Sequence, residues 1–411
     1  MEKTGKYQES PRDLILWDEG DIGSPTVRGE DVYLKTGGRV SLQWLTACEE
    51  ERALTADMMD RIADLSNLAT ALRQVVNNGG SAGIDGMTVT ELKEWFNHNW
   101  QELQTSLLDG SYTPSGVRGV RIRKPKGGYR QLGIPTCKDR LVQQATSQVI
   151  SRRYEPIFST NSYGFRPGRN AHQALQQAAE YVAEGYNHVV DLDLEKFFDK
   201  VNHDRLMWLL GTRIGDRRVL SLIGKFLHSG IMQDGLMSQR FQGTPQGSPL
   251  SPILSNIVLD ELDKELEVRG HRFVRYADDQ VILVRSEEAA NRVHKSITDF
   301  IENRMLLKVN RAKSRVCRPS ELNFLGYTIS GGGKLGISRE SLDRFKQKLR
   351  RITRRNRGIS LDQMIHGLNP VLRGWLNYFR LARMKQKLEV LVSWLRRRIR
   401  CFRIKQCKRA S

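Results

Sequence analysis

The chain has 411 residues, 66 Lys+Arg against 46 Asp+Glu, and a formal charge of +20. With 27% charged and 39% hydrophobic residues it is neither a low-complexity disordered polymer nor a membrane bundle, and it is long enough for two or three domains. The positive excess points to a polyanionic partner, nucleic acid ahead of an anionic membrane surface, because cations that neutralise phosphates release condensed counterions.

The five cysteines lack a C-x-x-C pair and histidines at zinc-finger spacing, so they read as thiols of a reducing compartment. No apolar leader opens the chain, and no stretch approaches the roughly 18 apolar residues of a membrane span. A soluble intracellular protein is expected. Charge is uneven along it: residues 1–60 hold 13 Asp+Glu against 7 Lys+Arg, whereas residues 331–411 hold 23 Lys+Arg against 4 Asp+Glu.

Up to about Leu45, turn clusters such as Gly23-Ser24-Pro25 and Gly37-Gly38 interrupt any sustained period, which predicts a loosely structured acidic extension. A helix is expected over 49–77, with Met58, Met59, Ile62, Leu65, Leu68, Leu72 and Val75 at spacings of three and four. After the loop Gly79–Gly86, a second helix sets Leu92, Trp95, Phe96 and Trp100 on one side. Val117 to Pro135 reads as a β-hairpin turning at Gly127-Gly128, with basic side chains on both arms. A helix from Asp139 to Tyr154, the turn-rich Tyr163–Asn170, and a helix through His172 to Val182 follow. Val189–Leu194 is a short strand, and a helix near Asp204 is expected to be capped by His203-Asp204. From Arg339 onward the stripes Ser338/Leu342/Phe345/Leu349, Val371/Leu372/Trp375/Leu376/Phe379 and Leu388/Leu391/Leu395/Ile399 predict helices with arginines between them.

Two segments carry the chemistry. In Val189–Asp199 and in Phe273–Leu283 an apolar strand delivers carboxylates to its end, where an ionised group is costly unless paired or bound to a cation. Aspartates are hard oxygen ligands suited to Mg²⁺, and two such ions about 3.5–4 Å apart support in-line phosphoryl transfer. Tyr276-Ala-Asp-Asp279 between two apolar runs reads as a hairpin with the aspartates at its turn.

These motifs, together with Gly83-Ile-Asp-Gly86, Arg130–Pro135, Tyr163–Gly168, Gly243–Pro252, Leu307–Asn310 with Lys313-Ser314, and Asn323–Tyr327, occur in one order. In that order the chain resembles the group II intron reverse transcriptase/maturase family in its shorter bacterial form. The resemblance implies an α+β right-hand polymerase with fingers, an antiparallel palm sheet and a helical thumb, also called domain X. It implies that Asp193, Asp278 and Asp279 are the metal-binding catalytic residues, holding two Mg²⁺ ions, with Mn²⁺ an admissible substitute. Asp191 and Asp199 compete with Asp193, which is preferred because Phe198 then falls five residues on, where the family excludes a 2′-hydroxyl. Arg118, Lys124, Arg130, Gln246 and Lys313 correspond to residues about the incoming deoxynucleoside triphosphate, and Phe324, Leu325, Gly326 and Tyr327 to the primer grip.

The boundaries expected are 1–48 for the extension, 49–335 for fingers and palm, and 336–411 for a thumb that looks truncated. The implied partners are an intron RNA template and a DNA or RNA primer; no membrane partner is expected, and the sequence does not fix the oligomeric state. The family's H-N-H endonuclease has no counterpart, so that activity is not expected. Two other readings stay open: an RNA-binding splicing factor that does not polymerise, and a host-adopted enzyme for DNA repair or phage defence.

Overall fold

A computed structural model describes residues 55–123, 127–233, 236–238, 242–243 and 247–407, together with three short strands nearer the start. Those strands, β1 (Thr26–Arg28), β2 (Asp31–Tyr33) and β3 (Arg39–Ser41), pair in order as an antiparallel sheet. Regular structure thus occurs inside the segment expected to be loose, because three-residue strands are too short to register as a period.

The helix expected over 49–77 is two helices, α1 (Met58–Ala63) and α2 (Leu65–Asn78); residues 49–54 lie outside the described part. Asp64 makes the break: its carboxylate accepts from the amides of Ser66 and Asn67 and so caps α2. Helix α3 (Val89–Leu108) opens with a reciprocal capping box between Thr88 and Glu91 and buries Leu92, Phe96, Leu103 and Leu107. The basic hairpin forms as β4 (Val117–Arg123) and β5 (Tyr129–Ile134). Helix α4 (Cys137–Tyr154), capped by Thr136, packs against α2, and α5 (Ala171–Ala183) is capped by Asn170 with Gln173.

Next come β6 (His188–Leu192), the one-turn α6 (Phe197–Lys200) and α7 (His203–Gly211). The cap of α7 is Asn202, which accepts from the Arg205 amide, and not the His203-Asp204 pair, which already lies within the helix. Helix α8 (Arg217–His228) leads into β7 (Ile231–Gln233) and β8 (Leu236–Ser238), which extend the basic hairpin to the order β5-β4-β7-β8.

Helix α9 (Ser251–Val268) precedes the hairpin of β9 (Arg272–Tyr276) and β10 (Asp279–Val284). After α10 (Glu287–Asn303) and β11 (Arg315–Cys317), the central sheet is complete in the antiparallel order β11-β6-β10-β9. Alternate residues of this sheet enter two different cores. Val190, Leu192, Phe273 and Ile282 join the helices before it and α10, while Val189, Val274, Val281 and Leu283 pack with α5 and later strands. Burial on both faces explains the continuous apolar runs, which an antiparallel sheet with one wet face would not need.

The hairpin β12 (Tyr327–Ser330) and β13 (Lys334–Ile337) follows. It leads to α11 (Arg339–Ile352), α12 (Leu361–Tyr378) and α13 (Lys385–Cys407), whose own core holds Phe345, Leu349, Met364, Leu368, Leu391, Leu395 and Phe402. The Phe345 and Trp375 rings stack there with centroids 4.1 Å apart. Among the described residues no helix is long and apolar enough to cross a membrane.

Candidate active site

Strand β6 delivers Asp191 near its end and Asp193 just beyond it. Asp193 is fixed through its backbone: its amide donates to Ser314 Oγ at 3.0 Å, and its carbonyl accepts from the Asn310 amide at 2.8 Å. Its carboxylate receives Lys313 Nζ at 3.2 and 3.1 Å, so the lysine of the Lys313-Ser314 pair reaches the aspartate that the same pair orients. Asp191 lies 3.9 Å from Arg315 Nε, and lost hydration, opposed by that arginine and aided by Asp193, pushes its carboxyl up to about 6.

The second carboxylate source is the two-residue turn between β9 and β10. Tyr276 pairs with Asp279, leaving Ala277 and Asp278 at the corner; Asp279 is the first residue of β10 and not part of the turn itself. Ala277 has φ of +58°, the left-handed geometry that suits the twist of a tight hairpin. Burial raises Asp278, as does Asp193, while Arg130 and Lys313 oppose the rise. Asp279 opens to solvent on one side, yet lost hydration and the charges of Asp278, Asp193 and Asp191 bring it to about 6. Asp193, Asp278 and Asp279 thus share one electrostatic neighbourhood, and Arg130 of the basic hairpin faces it.

A buried network holds this turn from behind. Arg275, fully buried, donates to both oxygens of the equally buried Asp263 on α9, to Asn256 Oδ1 at 2.9 Å and to the Ala277 carbonyl at 3.0 Å. Asn256 in turn donates to the Gly164 carbonyl at 3.0 Å. Gly164 lies so close that a Cβ there would stand 2.1 Å from the Ala277 nitrogen. Sequence reading missed Arg275, Asp263, Asn256 and this use of Gly164. An arginine three residues into an apolar run, at Phe273-Val-Arg275, was the available signal, since a buried cation requires a buried partner.

Other candidate residues lie around this centre. Phe198 is half-buried in α6, edge-on to Phe197, and the Phe198 carbonyl and Asp199 crowd Gly243, where a Cβ would come within 2.7 Å. Asp199 is exposed and takes no part in the carboxylate group described above. Arg118 is half-buried, and its buried Nε meets no hydrogen-bond acceptor among the described residues. Lys124 and Gln246 lie outside the described residues. Phe324 and Tyr327 exchange backbone bonds of 3.1 and 2.9 Å around a turn in which Leu325 and Gly326 have φ of +50° and +84°. Tyr378, from the end of α12, donates to the Leu325 carbonyl at 2.8 Å, while its own carbonyl accepts from the Tyr327 hydroxyl and faces His172 Nε2 at 2.7 Å. Burial raises the Tyr378 phenol, with smaller contributions from Tyr276 and Asp279, so this missed residue lies between the Leu325 turn and the aspartate neighbourhood.

The donor set fits a hard divalent cation, which would offset the lost hydration and the carboxylate repulsion that raise Asp278 and Asp279. As placed, Asp193 is engaged by Lys313, and among the described residues no three His, Cys, Asp or Glu side chains converge to metal-holding distances.

The family model for reverse transcriptase (RNA-dependent DNA polymerase) matches residues 122–329, half of the chain. The chain belongs to this reverse transcriptase family. A second model, the group II intron maturase-specific domain, matches residues 342–411. Protein YkfC of Escherichia coli K12 is 31% identical over 303 residues, covering 64% of this chain and 80% of its own. The group II intron-encoded protein LtrA of Lactococcus lactis is 30% identical over 290 residues, covering 54% of this chain and 48% of LtrA, so the chain spans about half of that relative. Among solved structures, a partial Cas6-RT-Cas1–Cas2 complex matches at TM-score 0.38 and 28% identity, over 60% of this chain and 42% of that one. The α+β right-hand polymerase fold and the RNA-directed DNA polymerase class expected from the motifs are those of the reverse transcriptase family.

Proposed function

We propose that the chain copies an RNA template into DNA by adding deoxynucleotides to a primer 3′-hydroxyl, with Asp193, Asp278 and Asp279 as its metal-binding catalytic residues. Mg²⁺ is the proposed ion, with Mn²⁺ able to replace it. When bound, such ions supply activation of the primer hydroxyl and charge stabilisation of the departing pyrophosphate. The observation that carries the reading is the antiparallel pairing of β6 with β10, in which Leu192 lies opposite Gln280, so that Asp193 comes beside the turn bearing Asp278 and Asp279.

The remaining roles follow from position. Arg118, with its unsatisfied buried Nε, and Arg130 neutralise the triphosphate, with Lys124 on the same hairpin. Lys313 supplies a cation and a proton donor beside Asp193. Phe198 excludes a ribose 2′-hydroxyl, Gln246 adjoins the nascent base pair, and the turn from Phe324 to Tyr327 holds the primer end. Residues 49–335 form fingers and palm and 336–411 the thumb, whose arginine-bearing helices hold duplex and intron RNA by phosphate contacts and assist splicing and mobility.

Extension of a DNA primer on an RNA template with deoxynucleotides and Mg²⁺ tests the reading. Asp278→Ala is expected to abolish incorporation while primer–template binding persists. Equal incorporation by wild type and variant would refute the assignment.

A further inference from the structure

At the end of the central sheet remote from the aspartates, a cavity of about 360 Å³ opens between the start of β9, the end of β10 and the first turns of α10. Tyr186, His271, Arg272, Arg285 and Arg292 contribute its polar lining, which contains no carboxylate. Strand β10 runs from Asp279 to Val284, so at about 3.3 Å per residue Arg285 lies about 20 Å from Asp279, too far to serve the same phosphates.

Arg272 and Arg285 are stacked on tyrosine rings rather than loosely solvated. The Arg285 guanidinium lies over the Tyr186 ring at 4.9 Å and that of Arg272 over Tyr181 at 5.7 Å. Both also reach the Tyr186 hydroxyl, which they hold below the usual phenol range. Among the described residues none of Arg272, Arg285 and Arg292 is ion-paired; Glu184 and Glu288 act on Arg272 and Arg292 only through space.

A second cavity, of about 240 Å³ and lined by Arg218 and Lys225, supplies the contrast. There Arg218 is neutralised by Asp60 and Asp216, and Lys225 donates to the carbonyls of Gly110 and Tyr112. Repulsion left uncompensated by protein, on guanidiniums already ordered by aromatic rings, is what a phosphate relieves at small entropic cost.

We propose that the Arg272/Arg285/Arg292 pocket binds the phosphodiester backbone of structured RNA at a site separate from the polymerase centre. The inference rests on the proposed role of the chain as an RNA-handling enzyme, and it extends the RNA footprint beyond the basic C-terminal helices to the far side of the palm. Arg272 and Arg285 grip one phosphate from two sides, and Arg292 on α10 reaches the next along the strand.

The test measures binding of the full chain to a folded group II intron transcript across a salt series, alongside primer extension on poly(rA) with oligo(dT). Two neutralised phosphates contribute about 2 to the slope of log affinity against log salt, so Arg272→Gln/Arg285→Gln/Arg292→Gln is expected to flatten the slope by about that much and weaken binding at low salt at least tenfold. Extension on poly(rA) is expected to stay unchanged. Arg292→Gln alone, which disturbs neither tyrosine stack, is expected to produce about half of the slope change. An unaltered slope and affinity in both variants overturns the proposal, as does a wild-type pocket that binds inorganic phosphate or a mononucleotide while the variants keep full RNA affinity. If wild type binds the transcript through these arginines yet extends no primer, the polymerase reading fails and the pocket stands.

Discussion

Gly164→Ala is a small substitution with a large expected effect on the aspartate turn. The glycine does not need a positive φ, so its requirement is space alone. A Cβ built there stands 2.1 Å from the Ala277 nitrogen and 2.9 Å from both Ala277 Cα and the Tyr276 carbonyl carbon, all of them backbone atoms. Ordinary contact distances are about 3.5 Å, so one segment must move by more than about 1 Å. The 161–164 segment is tied by the Tyr163 amide to the Arg275 carbonyl at 2.9 Å and by the Arg275 amide to the Asn161 carbonyl at 2.9 Å, so it cannot withdraw freely. The turn carrying Asp278 yields instead. Overpacking of this kind costs about 1–3 kcal/mol of stability, whereas a misplacement of about 1 Å in catalytic geometry costs about 100-fold in rate. Single-turnover primer extension is therefore expected to slow about 100-fold while the folded state persists by circular dichroism. Gly211→Ala, at the end of α7 where a Cβ meets nothing within 4 Å, is the matched control and is expected to be silent. Extension by Gly164→Ala within about threefold of wild type would refute the idea that this contact sets the turn.

Arg275→Met leaves the Asp263 carboxylate buried without its partner and is expected to cost about 3–5 kcal/mol in urea denaturation. The double variant Arg275→Met/Asp263→Leu is expected to recover most of that stability but not primer extension, because the bond to the Ala277 carbonyl stays lost. Tyr378→Phe removes only the bond to the Leu325 carbonyl, a loss of about 1 kcal/mol, and is expected to weaken primer–template binding about fivefold in a filter assay with folding unchanged. Burial, reinforced by Asp263, raises Asp260 to about 6. A carboxyl raised above its unfolded value contributes stability that is complete below the unfolded pKa of about 4 and is lost as pH rises through about 6. Asp260→Asn is therefore expected to be stabilising near neutral pH, with the gain fading toward pH 4, as read from denaturation midpoints.

The acidic strand ends, the hairpin between β9 and β10, and the basic hairpin were legible because each has a strong local pattern: carboxylates closing an apolar run, or glycines between basic arms. The break at Asp64 was not, since apolar spacing continues from Ile62 through Leu65 and Leu68 as if one helix ran on. Periodicity records which face is buried and is insensitive to a cap that restarts the helix. The partnership of Arg275 with Asp263 was equally hidden. The two sit 12 residues apart on different elements, and only the packing of α9 beneath the sheet brings them together. Tyr378 reads as one more aromatic of an amphipathic helix until the Leu325 carbonyl is found against it. The charge asymmetry also concealed the arginine pocket, because a segment-by-segment count dilutes three cations contributed by β9, the residue just after β10, and α10.

The turn at Leu325-Gly326 bears on how such enzymes can be recombined. The two family models part between residues 329 and 342, which invites a chimaera that joins one protein's palm to another's thumb there. Contacts across that joint run the other way. A Cβ on Gly326 would meet Ser341 Oγ at 2.8 Å and the Phe379 ring at 3.4 Å, Ser338 donates its amide to the Gly326 carbonyl, and Tyr378 binds Leu325. A graft that keeps the Leu325 turn while replacing Ser341, Tyr378 and Phe379 inherits a mismatched hinge. The exchangeable unit therefore runs from Asn323 through Phe379, and a module boundary drawn from sequence families cuts through a single mechanical part.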